Sequence, residues 1–182
     1  MINLDCNILL GVANPNGSVF AELRALLGRV TNPDRRSGQV HLTDHTLAVC
    51  SVTVRRMLEK GRIGPSDEAI LMGGVVAFAK RVKSAGGIFD HTVEMGARGS
   101  ATMDLLVLEA LAHGHDDFED EGAIRAHFRL QTQCREVHGD ASLVLTMVSD
   151  DRELRAEIVR RGGAAWDVPT AVRNLATRVV AA

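Results

Sequence analysis

No tyrosine occurs in this 182-residue chain, and aromatic residues make up only 3% of it. That scarcity argues against binding single-stranded nucleic acid on rows of stacked aromatic side chains. An excess of one charge is also missing: 21 Lys and Arg face 23 Asp and Glu, a net charge of −2. Without a global basic field, any contact with nucleic acid must come from a local patch. Cysteine is sparse and odd in number. Cys6, Cys50 and Cys134 are widely spaced in apolar surroundings, which reads as buried thiols in a reducing cytoplasm, not a disulfide frame or a zinc site. No apolar run reaches the roughly 18 residues a bilayer span needs. The N-terminus lacks the basic region and cleavage site of a signal peptide. The expectation is a cytoplasmic protein with no membrane contact.

The chain is nevertheless 46% hydrophobic, enough for a real core. With no internal repeat, low-complexity tract or linker, residues 1–182 read as a single domain. Residues 2–10 (INLDCNILL) read as a short buried strand interrupted by Asp5, followed by the turn Asn14-Pro15-Asn16-Gly17. Val19, Leu23, Leu26 and Val30 repeat at helical spacing, so a helix is expected from about Ser18. QVHLT (39–43) is a candidate strand, with Thr43 or Asp44 capping a helix striped by Leu47, Cys50, Val54 and Met57. Gly64-Pro65-Ser66 breaks the chain before a third helix striped by Leu71, Val75, Phe78 and Val82. Its Gly73-Gly74 pair marks a kink or tight packing. IFD (88–90), SLVLTMV (142–148) and AAWDV (164–168) read as further strands. MDLLVLEALAHG (103–114), a stretch around Ile124 and Phe128, DRELRAEIVRRGG (151–163) and the residues from Thr170 read as helices. Strands alternating with helices predict an α/β three-layer sandwich, α/β/α, with a central, mostly parallel sheet.

In such sheets, ligands bind beyond the carboxyl ends of the strands. Three aspartates fall at positions of that kind: Asp5 within the first apolar run, Asp104 opening a helix, and Asp151 after the longest strand-like run. Each has a plain alternative. Asp5 could be a helix cap or paired surface acid, Asp104 a first-turn acid, and Asp150 or Asp151 the cap of the helix that follows. Their convergence on one sheet edge raises the alternative of a shared site for a hard cation, Mg²⁺ or Mn²⁺, bound through carboxylate oxygens. Without a cation such acids repel one another and raise their own pKa values.

The motifs LDCNILL (4–10), HLTDHTLAVCSVTVRRML (41–58), MDLLVLEALAHG (103–114) and LVLTMVSDDRELR (143–155), in that order, resemble the PIN-domain ribonucleases, including the toxins of VapC-type toxin–antitoxin pairs. The resemblance covers nearly the whole chain. It implies a PIN-like fold and Mg²⁺- or Mn²⁺-dependent hydrolysis of RNA that leaves a 5′-phosphate and a 3′-hydroxyl. Asp5, Asp104 and Asp151 match the family's metal-binding acids, with Asp150 an alternate ligand, Asn7 the Asn after the first acid and Ser149 the strand-end Thr or Ser. A protein antitoxin covering the site with an arginine, and a homodimer, would be the family's partners. Two departures stand out. Many relatives carry a Glu in the second helix, but no carboxylate occurs from Thr46 to Leu58, and the stretch between about 115 and 141 is long. The missing acid motivates a second reading, a PIN-like module that binds RNA or protein without cutting. Haloacid-dehalogenase-type phosphatases and receiver domains fit less well: Asn7 stands where the former wants a second Asp, and the latter wants an acidic pair and a late Lys.

Arg35, Arg36 and Arg55, with Arg56, Lys60 and Arg62 nearby, could form a local phosphate-binding patch; a solvated polar face is the plain alternative. HGHDDFEDE (113–121) could bind a cation, but its acids lack regular ligand spacing and a solvated loop and helix start is the plainer reading; His45, beside Asp44, could approach the site edge from the second strand, with a capping or surface histidine the plainer reading.

Overall fold

The structure is a computed structural model that describes residues 1–32, 34, 38–90 and 118–180. Five strands make one sheet: β1 (Ile2–Leu4), β2 (Val40–Thr43), β3 (Phe89–Asp90), β4 (Thr146–Val148) and β5 (Ala164–Trp166). Their order is β3-β2-β1-β4-β5, and every neighbouring pair is parallel. The helices are α1 (Cys6–Ala13), α2 (Ala21–Val30), α3 (Asp44–Glu59), α4 (Pro65–Ser84), α5 (Phe118–His138), α6 (Arg152–Arg160) and α7 (Val168–Val180).

Alternation along each strand splits the core into two layers. Ile2 and Leu4 of β1, Val40 and Leu42 of β2, and Val148 of β4 face a cluster with Ile8 and Leu9 of α1, Leu23 and Leu27 of α2, Val75 and Val82 of α4, and Leu175 of α7. The other face carries Met147 against Ile124 of α5 and Leu154 and Ile158 of α6, and Leu145 against Leu130 and Cys134 of α5. This is the expected α/β/α arrangement. Each fully buried Leu or Ile contributes about 1.5–3 kcal/mol by leaving water. Burial on both faces explains why the strands read as continuous apolar runs instead of alternating ones. All three cysteines are buried thiols.

The first apolar run behaves differently from the expectation. It is not one strand broken by a charge: β1 ends at Leu4, and Asp5 caps a helix that begins at Cys6. Two elements of similar hydrophobicity thus meet at one carboxylate. The second helix starts at Ala21, and Val19 is 82% exposed, while Leu23, Leu26 and Val30 are buried as the stripe predicts. In α4, the Gly-Gly pair marks tight packing. A Cβ on Gly74 would come within 2.3 Å of the Ala13 carbonyl oxygen, so only glycine lets α1 and α4 approach this closely. The irregular-looking stretch before β4 is a 21-residue helix, α5. No helix among the described residues is long and apolar enough to cross a membrane.

Candidate functional site

The strand order reverses between β1 and β4: the chain moves from β1 outward to β2 and β3, then returns to β4 and β5 on the other side. That reversal opens a crevice beyond the carboxyl ends of β1 and β4, the general ligand position of open α/β sheets. Asp5 and Ser149 are the first residues past those two strands.

The local chain holds them together. The Asp5 backbone N–H donates to the Val148 carbonyl at 3.0 Å, and the Ser149 N–H donates to the Trp166 carbonyl at 3.1 Å. These bonds extend the parallel ladder by one step. Asp5 Oδ1 accepts the Cys6 N–H at 2.7 Å, capping α1, while Asp5 Oδ2 accepts the Ser149 hydroxyl at 2.7 Å. The same Ser149 oxygen accepts the Asp151 N–H at 3.0 Å. Asp151 Oδ1 in turn caps α6, accepting the N–H groups of Glu153 and Leu154 at 2.7 and 3.0 Å. The plain reading of both acids as helix caps is therefore correct as far as it goes. The buried Ser149 links the two caps into one unit.

Between these elements lies a cleft of about 340 Å³ lined by Asp5, Asn7, His45, Thr46, Asp120 and Asp151, with Cys6 and apolar residues of α1, α3 and α5. The start of α3 is fixed to its wall: Thr43 Oγ1 accepts the Thr46 N–H at 3.0 Å, and the Thr46 hydroxyl donates to the Leu4 carbonyl at 3.2 Å. Burial pushes the Asp5 carboxyl above its usual range. The bonds from Ser149 and Cys6 pull it back, the Asp151 carboxylate pushes it up again, and His45 lowers it. Burial prevails, so the charged form of Asp5 is disfavoured in the metal-free protein.

Of the residues singled out in the sequence, Asp5, Asp151 and Asn7 line the cleft and Ser149 lies behind it. Asp150 is exposed and outside the lining; its N–H is 3.5 Å from Asn7 Oδ1. Arg55 is an exposed residue of α3 whose guanidinium lies 3.5 Å from Glu59, also outside the lining. Asp104, Arg35 and Arg36 fall outside the described residues. Two further cleft residues are ones whose plainer sequence reading is a solvated helix start or a capping histidine. Asp120 sits in the first turn of α5 and reaches the cleft, as does His45, the second residue of α3. The sequence carries no signal that singles Asp120 out from the neighbouring acids Asp116, Asp117, Glu119 and Glu121.

Among the described residues, no three Asp, Glu, His or Cys side chains already close on one point as a metal-binding group. The donor chemistry nonetheless fits a hard divalent ion. Asp5, Asp120, Asp151 and Asn7 line one cleft, and the burial that makes the Asp5 charge costly is the condition a cation relieves. Compared with known proteins, the chain matches no family model, no curated protein and no solved structure.

Proposed function

We propose that the protein is a metal-dependent ribonuclease of PIN-like type, hydrolysing RNA phosphodiester bonds. One observation carries this reading: Asp5 and Asp151, 146 positions apart in sequence, are joined through Ser149 at the switch point of a parallel sheet and line the same cleft. Mg²⁺ or Mn²⁺ would be held by Asp5 and Asp151, with Asp120 and Asn7 the further oxygen donors of the cleft; Asp104 and Asp150 enter through the family resemblance. Bound there, the ion would lower the pKa of a water, orient it and neutralise charge on the phosphate.

The protein's own part is positional. Ser149 fixes the Asp5 carboxylate by donating to one oxygen, while the Cys6 N–H holds the other. Asp151 keeps its Oδ1 on the α6 cap, which fixes the carboxylate at the start of that helix. The RNA backbone would be met by Arg35, Arg36 and Arg55, acting on phosphate and not on sequence. A protein antitoxin presenting an arginine would complement the acids directly, and a homodimer is the assembly the resemblance implies.

The test is RNA cleavage with Mg²⁺ or Mn²⁺ by the wild type and by Asp5→Asn, Asp104→Asn, Asp120→Asn and Asp151→Asn variants. Metal-dependent cutting that Asp5→Asn and Asp151→Asn abolish supports the reading. Cutting that survives in both places the chemistry elsewhere. An RNA-binding protein that never cuts, and whose Mn²⁺ binding does not depend on Asp5, is the non-cleaving module instead.

A further inference from the structure

α4 is apolar on its outside as well as its inside. The inner face is accounted for: Val75, Phe78 and Val82 are buried in the core, and Gly74 lies against the Ala13 carbonyl of α1. A surface helix normally turns charged and polar side chains outward. From Ala69 to Ala79 this helix has none. With about 3.6 residues per turn, Ala69, Ile70, Gly73, Val76 and Ala77 gather on the side opposite Val75, Phe78 and Val82. All five are exposed, Ile70 to 43% and Val76 to 48%.

Gly73 lies at the centre of this outer face. Glycine weakens a helix interior, and at Gly74 the close approach of α1 is the reason for it. Among the described residues Gly73 has no such reason, since a Cβ built there would meet no atom within 4 Å. A mid-helix glycine with open space beside it fits a backbone that approaches from outside the chain.

The charges at the two ends select that backbone. Asp67 and Glu68 stand in the first turn of α4 and Arg81 and Lys83 in the last, just after Lys80. Each end suits the dipole of its own helix. Turned end for end, the two ends also suit each other. A second α4 laid antiparallel across Gly73 brings Lys80 and Lys83 toward the acidic turn of its partner. A two-fold pair requires that self-complementarity, because one patch faces its own copy.

We propose that the outer face of α4 is a homodimer interface, in which two copies of the chain cross antiparallel at Gly73, cover Ile70 and Val76, and set the acidic end of each helix beside the basic end of the other. The inference is independent of the reading of the cleft, to which α4 contributes no lining residue.

The experiment is sedimentation of the full chain from low to high micromolar concentration, because a contact of one helix per partner belongs to the weak class of interfaces. Wild type should pass reversibly from monomer to dimer, and added salt should loosen the dimer by screening its end charges. Val76→Glu changes an exposed position, so the monomer should stay folded. It places a charge inside the contact and should weaken dimerisation at least ~10-fold. Gly73→Leu should raise the unfolding midpoint of the dilute protein, since leucine is the better helix former, and yet weaken association by blocking the crossing. A short bismaleimide reads the orientation, the native cysteines being buried. Gly73→Cys should cross-link to its partner. Lys83→Cys should not, since the helix puts roughly 15 Å between that position and the crossing. Wild type that stays monomeric throughout overturns the proposal and needs no variant to fold. A dimer that Val76→Glu and Gly73→Leu leave intact uses another face, and efficient cross-linking through Lys83→Cys refutes the antiparallel arrangement.

Discussion

Ser149→Ala removes one oxygen and tests the link between the two acids. The hydroxyl is fully buried, donates to Asp5 Oδ2 at 2.7 Å and accepts the Asp151 N–H at 3.0 Å. A hydrogen bond to a charged partner contributes about 1.5–3 kcal/mol net. The Asp151 N–H lies at an exposed helix start, where water replaces the lost acceptor at little cost, so the expected loss is about 2 kcal/mol, almost all from the Asp5 side. At a urea slope of about 2 kcal/mol/M, the unfolding midpoint should fall by about 1 M with the slope unchanged. The Ser142 hydroxyl makes a bond of similar length to Asp140, 2.6 Å, but both residues are exposed. Ser142→Ala is therefore the control and should cost much less. The substitution should also push the Asp5 carboxyl further up, since the Ser149 bond is the strongest influence holding it down. A loss below about 0.5 kcal/mol, the scatter of ordinary surface substitutions, would mean that Ser149 does not bind the Asp5 carboxylate.

Asp5→Asn should stabilise the metal-free protein at neutral pH, because asparagine still caps a helix and carries no buried charge. The folded-state pKa of Asp5 is raised, so the cost of its charge is fully present above that value and disappears as pH falls below the ordinary carboxylate range; unfolding measured at neutral and acid pH checks this, and a destabilised variant at neutral pH refutes it. His41 and His127 are fully buried and depressed to about 4 by burial. Their unfolded values are higher, so stability should fall by about 3 kcal/mol per histidine between pH 6.5 and 4, against the opposite trend of Asp5; His127→Gln should flatten the slope, and an unchanged slope removes His127 from the account. Gly74→Ala would gain up to about 1 kcal/mol from helix propensity alone, but the new methyl would meet the Ala13 carbonyl at 2.3 Å. The expected outcome is a net loss of about 1–3 kcal/mol in thermal or urea unfolding, and a stabilised variant would show that α1 and α4 yield.

Much of the fold was readable because burial leaves a periodic trace. Val75, Phe78 and Val82 repeat at helical spacing and are all buried on α4; Met147 and Val148 sit in an apolar run that pairs on both sides as a parallel strand. The split of LDCNILL into strand, cap and helix was not readable from hydrophobicity, since β1 and α1 are both buried and their apolar residues run together. What divides them is the Asp5 cap and its bond to Ser149, a contact across 144 positions. Val19 fits the stripe of α2 by number yet is exposed, because the helix begins only at Ala21.

By itself the sequence determined the α/β class, the alternation of elements and the candidacy of Asp5, Ser149 and Asp151, since these follow from local pattern and from the residues at strand ends; Asn7 became a candidate only through the resemblance. Only the tertiary structure decided which candidates share a cleft. It brought Asp120 and His45 into the lining, choosing the less plain of the two readings each had in the sequence, and it left Asp150 and Arg55 outside it. The physical reason is that a site at a switch point is assembled by strand order, and by how closely two helices approach at a glycine such as Gly122. Neither property is carried by any short stretch of the chain.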